Sequence, residues 1–168
     1  MFSDQTALMV TIEKEINSKF KSSIHKALVN CIFTGNMIQH IHENGLRAYD
    51  LSFQQFNILR ILKGAKKKVT MNYLKVGLLD KSPNATRLTD KLAEKGLIYK
   101  IKAERDKRVQ YVSITPEGEA MMKKLITAFD NKFITHLEFD EADAEKLSEL
   151  LDKLREANSA FIETPRHY

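Results

Sequence analysis

Residues 82–118 read SPNATRLTDKLAEKGLIYKIKAERDKRVQYVSITPEG, and the period of the apolar positions changes inside this stretch. Ser82-Pro83 pairs an N-cap serine with a proline at the first helical position, two strong start signals. Ala85, Leu88 and Leu92 then line one side of a helix running to residue 95, and Gly96 closes it. From there the spacing drops to two. Residues 97–102 and 109–115 alternate apolar with polar, as half-buried strands do, and the charged turn 103–108 joins them. A two-stranded hairpin is marginal alone, so this one must lean on helices. Thr115-Pro116 starts the next helix by the same cap-plus-proline logic.

Upstream, Thr70 caps a short helix over 71–79 with Leu74 and Leu78 inward. The polar run 65–68 precedes it. Before that, Ser52 caps a helix whose apolar face is Phe53, Phe56, Leu59 and Leu62, with Gly64 as its end. The first third carries a helical stripe through Leu8, Ile12, Ile16, Phe20, Ile24 and Leu28, continued by Cys31, Gly35, Ile38 and Ile41. A break at Lys21-Ser22-Ser23 and a stop at Gly45 suit that stripe. Downstream, Met121 or Met122, Leu125, Phe129, Phe133 and Leu137 face inward. A joint at Asp140 opens a last helix with Leu147, Leu150, Leu151, Leu154 and Phe161. So long a stripe on a chain of this size needs a partner helix to cover it.

The 168 residues suit one domain or one subunit of a small oligomer. With 43% hydrophobic and 29% charged residues, a packed core is expected and a disordered tail is not. No apolar run is long enough for a membrane span. The opening MFSDQTALMVTIEKE lacks the basic-then-apolar order of a signal peptide. A lone cysteine, Cys31, fits a reducing cytoplasm. Charge is unevenly spread. Residues 60–108 hold 15 Lys/Arg against 5 Asp/Glu, a local +10 in a chain of net +5. A basic middle between acidic flanks points to a polyanion-binding module.

Helix, short helix, turn, helix, hairpin: the expected fold is mainly α with a small β-hairpin, a winged helix-turn-helix lobe (51–118) with N- and C-terminal helices (1–50 and 119–168) forming a dimerisation region. A helix fits the major groove of DNA. The exposed side of the 82–95 helix offers Asn84, Thr86, Arg87 and Lys91, residue types that pair with base edges or phosphates. The hairpin tip offers Arg105, Lys107 and Arg108 to a minor groove, where negative potential is strongest in narrow tracts.

Within this frame, LSFQQFNILRIL, KSPNATRLTDKLAEKGLI and ERDKRVQYVSITPEG resemble the MarR family of bacterial transcription regulators. The wing pair Asp106 and Arg108, followed by an apolar strand and Thr115-x-x-Gly118, is the most specific part. The resemblance implies a triangular homodimer bound to a pseudo-palindrome. By position, Ser82, Pro83, Asn84, Thr86 and Arg87 meet the major groove and backbone. Arg108 is the wing arginine, and Asp106 orients the wing. It further implies an aromatic or anionic effector between the dimerisation helices and the lobe, near Phe33, Met37, Ile41, Tyr49 and Phe53. Three departures stand out. Lys75 replaces a small residue under the recognition helix, and Gly77 weakens a short helix by about 1 kcal/mol. The wing tip lacks Gly and Pro.

Other residues invite functional readings of less weight. Cys31 sits on an apolar face and is expected to pack rather than to sense oxidants. His40 and His42 are about 200° apart on a helix. They are expected as surface residues rather than as zinc ligands with Glu43 or His136. No G-x-S-x-G, H-E-x-x-H, P-loop or dinucleotide fingerprint appears, so neither an enzyme nor a cofactor is expected. The expected function is a cytoplasmic, homodimeric, effector-responsive repressor of a palindromic operator. The alternative is a winged-helix module for nonspecific nucleic-acid or protein binding.

Overall fold

The computed structural model describes residues 10–79, 85–103, 109–129 and 137–159. The chain divides into two compact units, Met1–Ile126 and Thr127–Tyr168. In the first, helix α1 is only Ile12–Glu15. The stripe predicts a longer helix there. Instead Asn17 turns left-handed (φ 48°), and the Ser18 N–H returns to the Glu13 carbonyl at 3.1 Å, an ending that asparagine tolerates.

Helix α2, Ser23–Arg47, begins where the break is expected. Ser22 Oγ accepts the His25 N–H at 3.2 Å. Gly45 does not end it. The left-handed residue is Asp50 (φ 51°), after which the Leu51 N–H reaches back to the Leu46 carbonyl. Of the residues on α2 only Leu46 is buried; Ile24, Ile32, Met37, Ile38 and Ile41 are exposed.

Helix α3, Phe53–Ala65, opens with a capping box. Ser52 Oγ accepts the Gln55 N–H at 3.2 Å, and Gln55 Oε1 accepts the Ser52 N–H at 3.0 Å. Ile58, Leu59 and Leu62 are buried, while Phe53 and Phe56 are half-buried. Gly64 lies inside the helix; Lys66, left-handed at φ 52°, terminates it.

A two-residue strand β1, Val69–Thr70, was not expected, being too short to show alternation. It pairs antiparallel with β3, Gln110–Ile114, which also pairs with β2, Ile98–Lys102. The hairpin is thus part of a three-stranded sheet of order β1-β3-β2. Thr70 caps α4, Met71–Gly77, through the Tyr73 N–H, and Leu74 and Leu78 are buried as expected. Gly77 has a packing role besides its helix cost. A Cβ there would stand 3.2 Å from Ile61 Cδ1, so α4 lies close against α3.

Helix α5, Ala85–Glu94, buries Ala85, Thr89 and Leu92, an i, i+4, i+7 face. Gly96 (φ 70°) ends the turn, with the Leu97 N–H on the Leu92 carbonyl at 2.9 Å. Helix α6, Pro116–Phe129, buries Met122 and Leu125. Its expected continuation fails at Leu137, which is 54% exposed, and Phe133 lies outside the described residues. In the second unit, Asp140 caps α7, Glu141–Ala157, accepting from Ala142 and Asp143 N–H. Leu147 and Leu150 on α7 are exposed. Phe161 lies outside the described residues. Among the described residues, no helix is long and apolar enough to cross a membrane.

Candidate nucleic-acid interface

With Ala85, Thr89 and Leu92 buried, the opposite side of α5 presents Thr86, Arg87 and Lys91, all exposed. Thr89 would be expected outside by polarity. Its hydroxyl is satisfied by donating to the Thr86 carbonyl at 2.7 Å, which lets it pack inward. Ser82, Pro83 and Asn84 before α5 lie outside the described residues, as do Arg105, Asp106, Lys107 and Arg108 between β2 and β3.

Two ion pairs fix α5 in its lobe. The Lys100 ammonium of β2 meets the Asp90 carboxylate on α5, and Lys100 is only 15% exposed. Just past the C-terminal end of α5, Lys95 Nζ lies 2.7 Å from Asp50 Oδ2 and also donates to the Asp50 carbonyl. The hydrogen bond from Lys95, reinforced by its charge, holds the Asp50 carboxyl below its ordinary value. Neither link is legible in the sequence. Both join residues distant in the chain, and their only signal is opposite charge on elements that prove to be neighbours.

The exit from the sheet is held by the Thr115-x-x-Gly118 pattern. Thr115 Oγ1 donates to the Gly96 carbonyl at 2.7 Å and accepts the Gly118 N–H at 2.9 Å. A Cβ on Gly118 would stand 2.2 Å from the Leu97 carbonyl oxygen, so only glycine lets α6 start this close.

A cavity of about 370 Å³ opens between the start of α3 and the exposed flank of α5. Phe53, Leu78 and Leu88 form its apolar wall, and Gln54, Asn57, Arg87 and Lys91 its polar one. Asn57 is buried, and its Oδ1 accepts from Arg60 Nε and Nη2 at 3.0 and 2.7 Å. Of the five residues expected to line an effector pocket, Phe53 lines this cavity. Phe33 and Tyr49 are half-buried, and Met37 and Ile41 are exposed along α2.

Cys31 is half-buried on α2. His42 Nδ1 lies 2.8 Å from the Ile38 carbonyl, and its ring centroid is 5.3 Å from that of Phe53. His136 lies outside the described residues, among which no His, Cys, Asp and Glu gather as a metal site. Lys75 is exposed.

A family model described as transcriptional regulator SarA/Rot matches residues 40–125, just over half of the chain. The chain is 33% identical to the HTH-type transcriptional regulator Hpr of Exiguobacterium sibiricum over 87 residues, 52% of this chain and 46% of Hpr. It spans between about half and three-fifths of the length of the Hpr regulators it matches. Among solved structures, reduced AbfR bound to DNA superposes with a TM-score of 0.71 at 20% identity, over 83% of this chain and 94% of AbfR. A protein described as a MarR-like transcription regulator from Bacillus cereus gives 0.69 at 21%, over 79% and 95%. These relatives and neighbours are regulators, not enzymes. The chain belongs to the SarA/Rot family of transcriptional regulators, with the winged helix-turn-helix fold of MarR-like proteins.

Proposed function

We propose that this chain is a sequence-specific, DNA-binding repressor that acts in the cytoplasm as a homodimer on a palindromic operator. One observation carries the reading: α5 turns Thr86, Arg87 and Lys91 to solvent while its other face is locked into the lobe. Arg and Thr at such positions suit guanine and thymine edges, and Lys suits phosphate. In this reading Ser82, Pro83 and Asn84 complete the major-groove contact. Arg105, Lys107 and Arg108 take the minor groove, with Asp106 orienting the wing. Residues 51–118 are the DNA-binding lobe.

Residues 1–50 and 119–168 supply the dimer contacts. The apolar side chains exposed along α2, and separately Leu147 and Leu150 on α7, support this, since a monomer seldom leaves such stripes uncovered. A small aromatic or anionic effector near Phe33, Met37, Ile41, Tyr49 and Phe53 would act by favouring one lobe spacing over another.

Selection of duplexes from a random pool tests the reading. It should return an inverted repeat with half-sites about one turn, or ~10 bp, apart. Arg87→Ala should then relax one base pair per half-site, by about 1–3 kcal/mol. Enrichment of no sequence, or a uniform loss on Arg87→Ala, counts against it.

A further inference from the structure

The outer face of the wing sheet plays no part in the reading above. Tyr99 pairs with Ser113, Ile101 with Tyr111, and Thr70 with Tyr111, so these side chains share one face. The other face carries buried Val69, Ile98 and Val112, together with Lys100 on Asp90. The outer one is open: Tyr99 is 53% exposed and Ile101 43%. Tyr111 is half-buried, and Lys68 holds its ammonium 5.2 Å from the centre of that ring.

Charge and ring placement agree on the occupant. Strands 69–70, 98–102 and 110–114 carry no Asp or Glu, and Lys66, Lys67 and Lys68 lead exposed into β1, while Lys100 and Lys102 belong to the opposite face. Tyr99 and Tyr111 are diagonal neighbours on paired strands, about 7–8 Å apart. The exposed Tyr99 ring and the half-buried Tyr111 ring, with exposed lysines beside them, make a platform on which bases stack and phosphates settle, whatever the sequence. A protein-docking patch is instead depleted in lysine. The Lys68–Tyr111 contact is of the weak, exposed kind and gives way to a base with its phosphate.

We propose that this face binds a single strand of nucleic acid, stacking bases on Tyr99 and Tyr111 with phosphates on Lys66, Lys67 and Lys68. Ile101 packs between the two rings against the bases.

The test uses the full chain with labelled oligo(dT) and oligo(rU) of about 12 nucleotides, followed by anisotropy across a salt series. The chain has five tyrosines and no tryptophan, so the part of the tyrosine quench that Tyr99→Ala removes reports stacking on this face. Expected are salt-dependent binding and a quench. Tyr99→Ala should weaken binding about fivefold or more, and Tyr99→Phe should restore it. Arg87→Ala should leave single-strand binding unchanged. Should Tyr99→Ala fail to fold, the triple change of Lys66, Lys67 and Lys68 to Gln gives the same answer, by a weaker affinity and a flatter salt slope. Tighter rU assigns RNA through its 2′-hydroxyl, and equal affinity assigns any single strand. No binding and no quench overturn the proposal and leave the face to a protein partner. Binding that Arg87→Ala abolishes and Tyr99→Ala spares overturns it too. Failure of duplex binding alone touches only the repressor reading.

Discussion

Thr115 Oγ1 donates to the carbonyl of Gly96 at 2.7 Å, tying the residue that follows β3 to the residue that closes α5. The same oxygen accepts the Gly118 N–H, so one hydroxyl serves as a cross-link and as the cap of α6. Thr115 is 3% exposed, and water cannot replace either bond. Thr115→Val keeps the shape and removes both. It should cost about 1–3 kcal/mol, read from the urea midpoint, with Thr115→Ser losing less. A midpoint unchanged in Thr115→Val contradicts the cross-link.

Gly118 and Gly77 make a matched pair of tests. Alanine at 118 drives a methyl to 2.2 Å from a backbone carbonyl, which has no flexible end to yield. Gly118→Ala should destabilise by about 1–3 kcal/mol or more. Alanine at 77 meets the tip of Ile61 at 3.2 Å, a side chain that can shift. Helix propensity favours that change by about 1 kcal/mol, so Gly77→Ala should be close to neutral. Equal losses at the two sites would contradict the packing described for α6 and the sheet.

Much of the helical frame was legible because its signals are local. Ser22, Ser52, Thr70 and Asp140 each cap the helix they precede, since a side chain three residues or fewer from an N–H needs no tertiary information to reach it. Helix ends were less legible. Gly45 and Gly64 offered themselves as stops, yet Asp50 and Lys66 took the left-handed turns. The chain reverses where packing of the next element demands it, and a glycine inside a well-packed helix is merely tolerated. Strand β1 has two residues, too few for any period, and exists only because β3 offers it an edge. On α5, the exposed trio Thr86, Arg87 and Lys91 followed from helical spacing. The Asp90–Lys100 and Asp50–Lys95 links did not, because each depends on which elements become neighbours.

The Asp50–Lys95 link gives a pH dependence. Pairing lowers the Asp50 carboxyl below its ordinary 3.8 in the folded chain. Its contribution to stability is therefore complete above 3.8 and disappears as pH falls through the folded value. Asp50→Asn keeps a residue that accepts the left-handed turn and removes only the charge. Denaturation of the two proteins side by side should show the wild type ahead at pH 7 and the gap closing in acid below 3.8. A gap that persists at pH 2 would assign the effect to the backbone turn instead.

Lys91 and Arg87 stand on the same exposed flank but should fail differently. Lys91→Ala should weaken all duplexes alike and lower the salt slope by about one. Arg87→Ala should change which sequences are preferred. Parallel titrations of two related duplexes separate these behaviours, and identical effects on both would remove Arg87 from base reading.

The most direct measurement is fluorescence anisotropy of the purified chain on duplex DNA from its own upstream region and on a scrambled duplex, across a salt series. A sequence-specific regulator should bind the first about 10³-fold or more tightly at physiological salt, with both affinities falling steeply as salt rises. Equal affinity for the upstream duplex, the scrambled duplex and any duplex recovered by selection would contradict it, and would make the basic strip a nonspecific clamp.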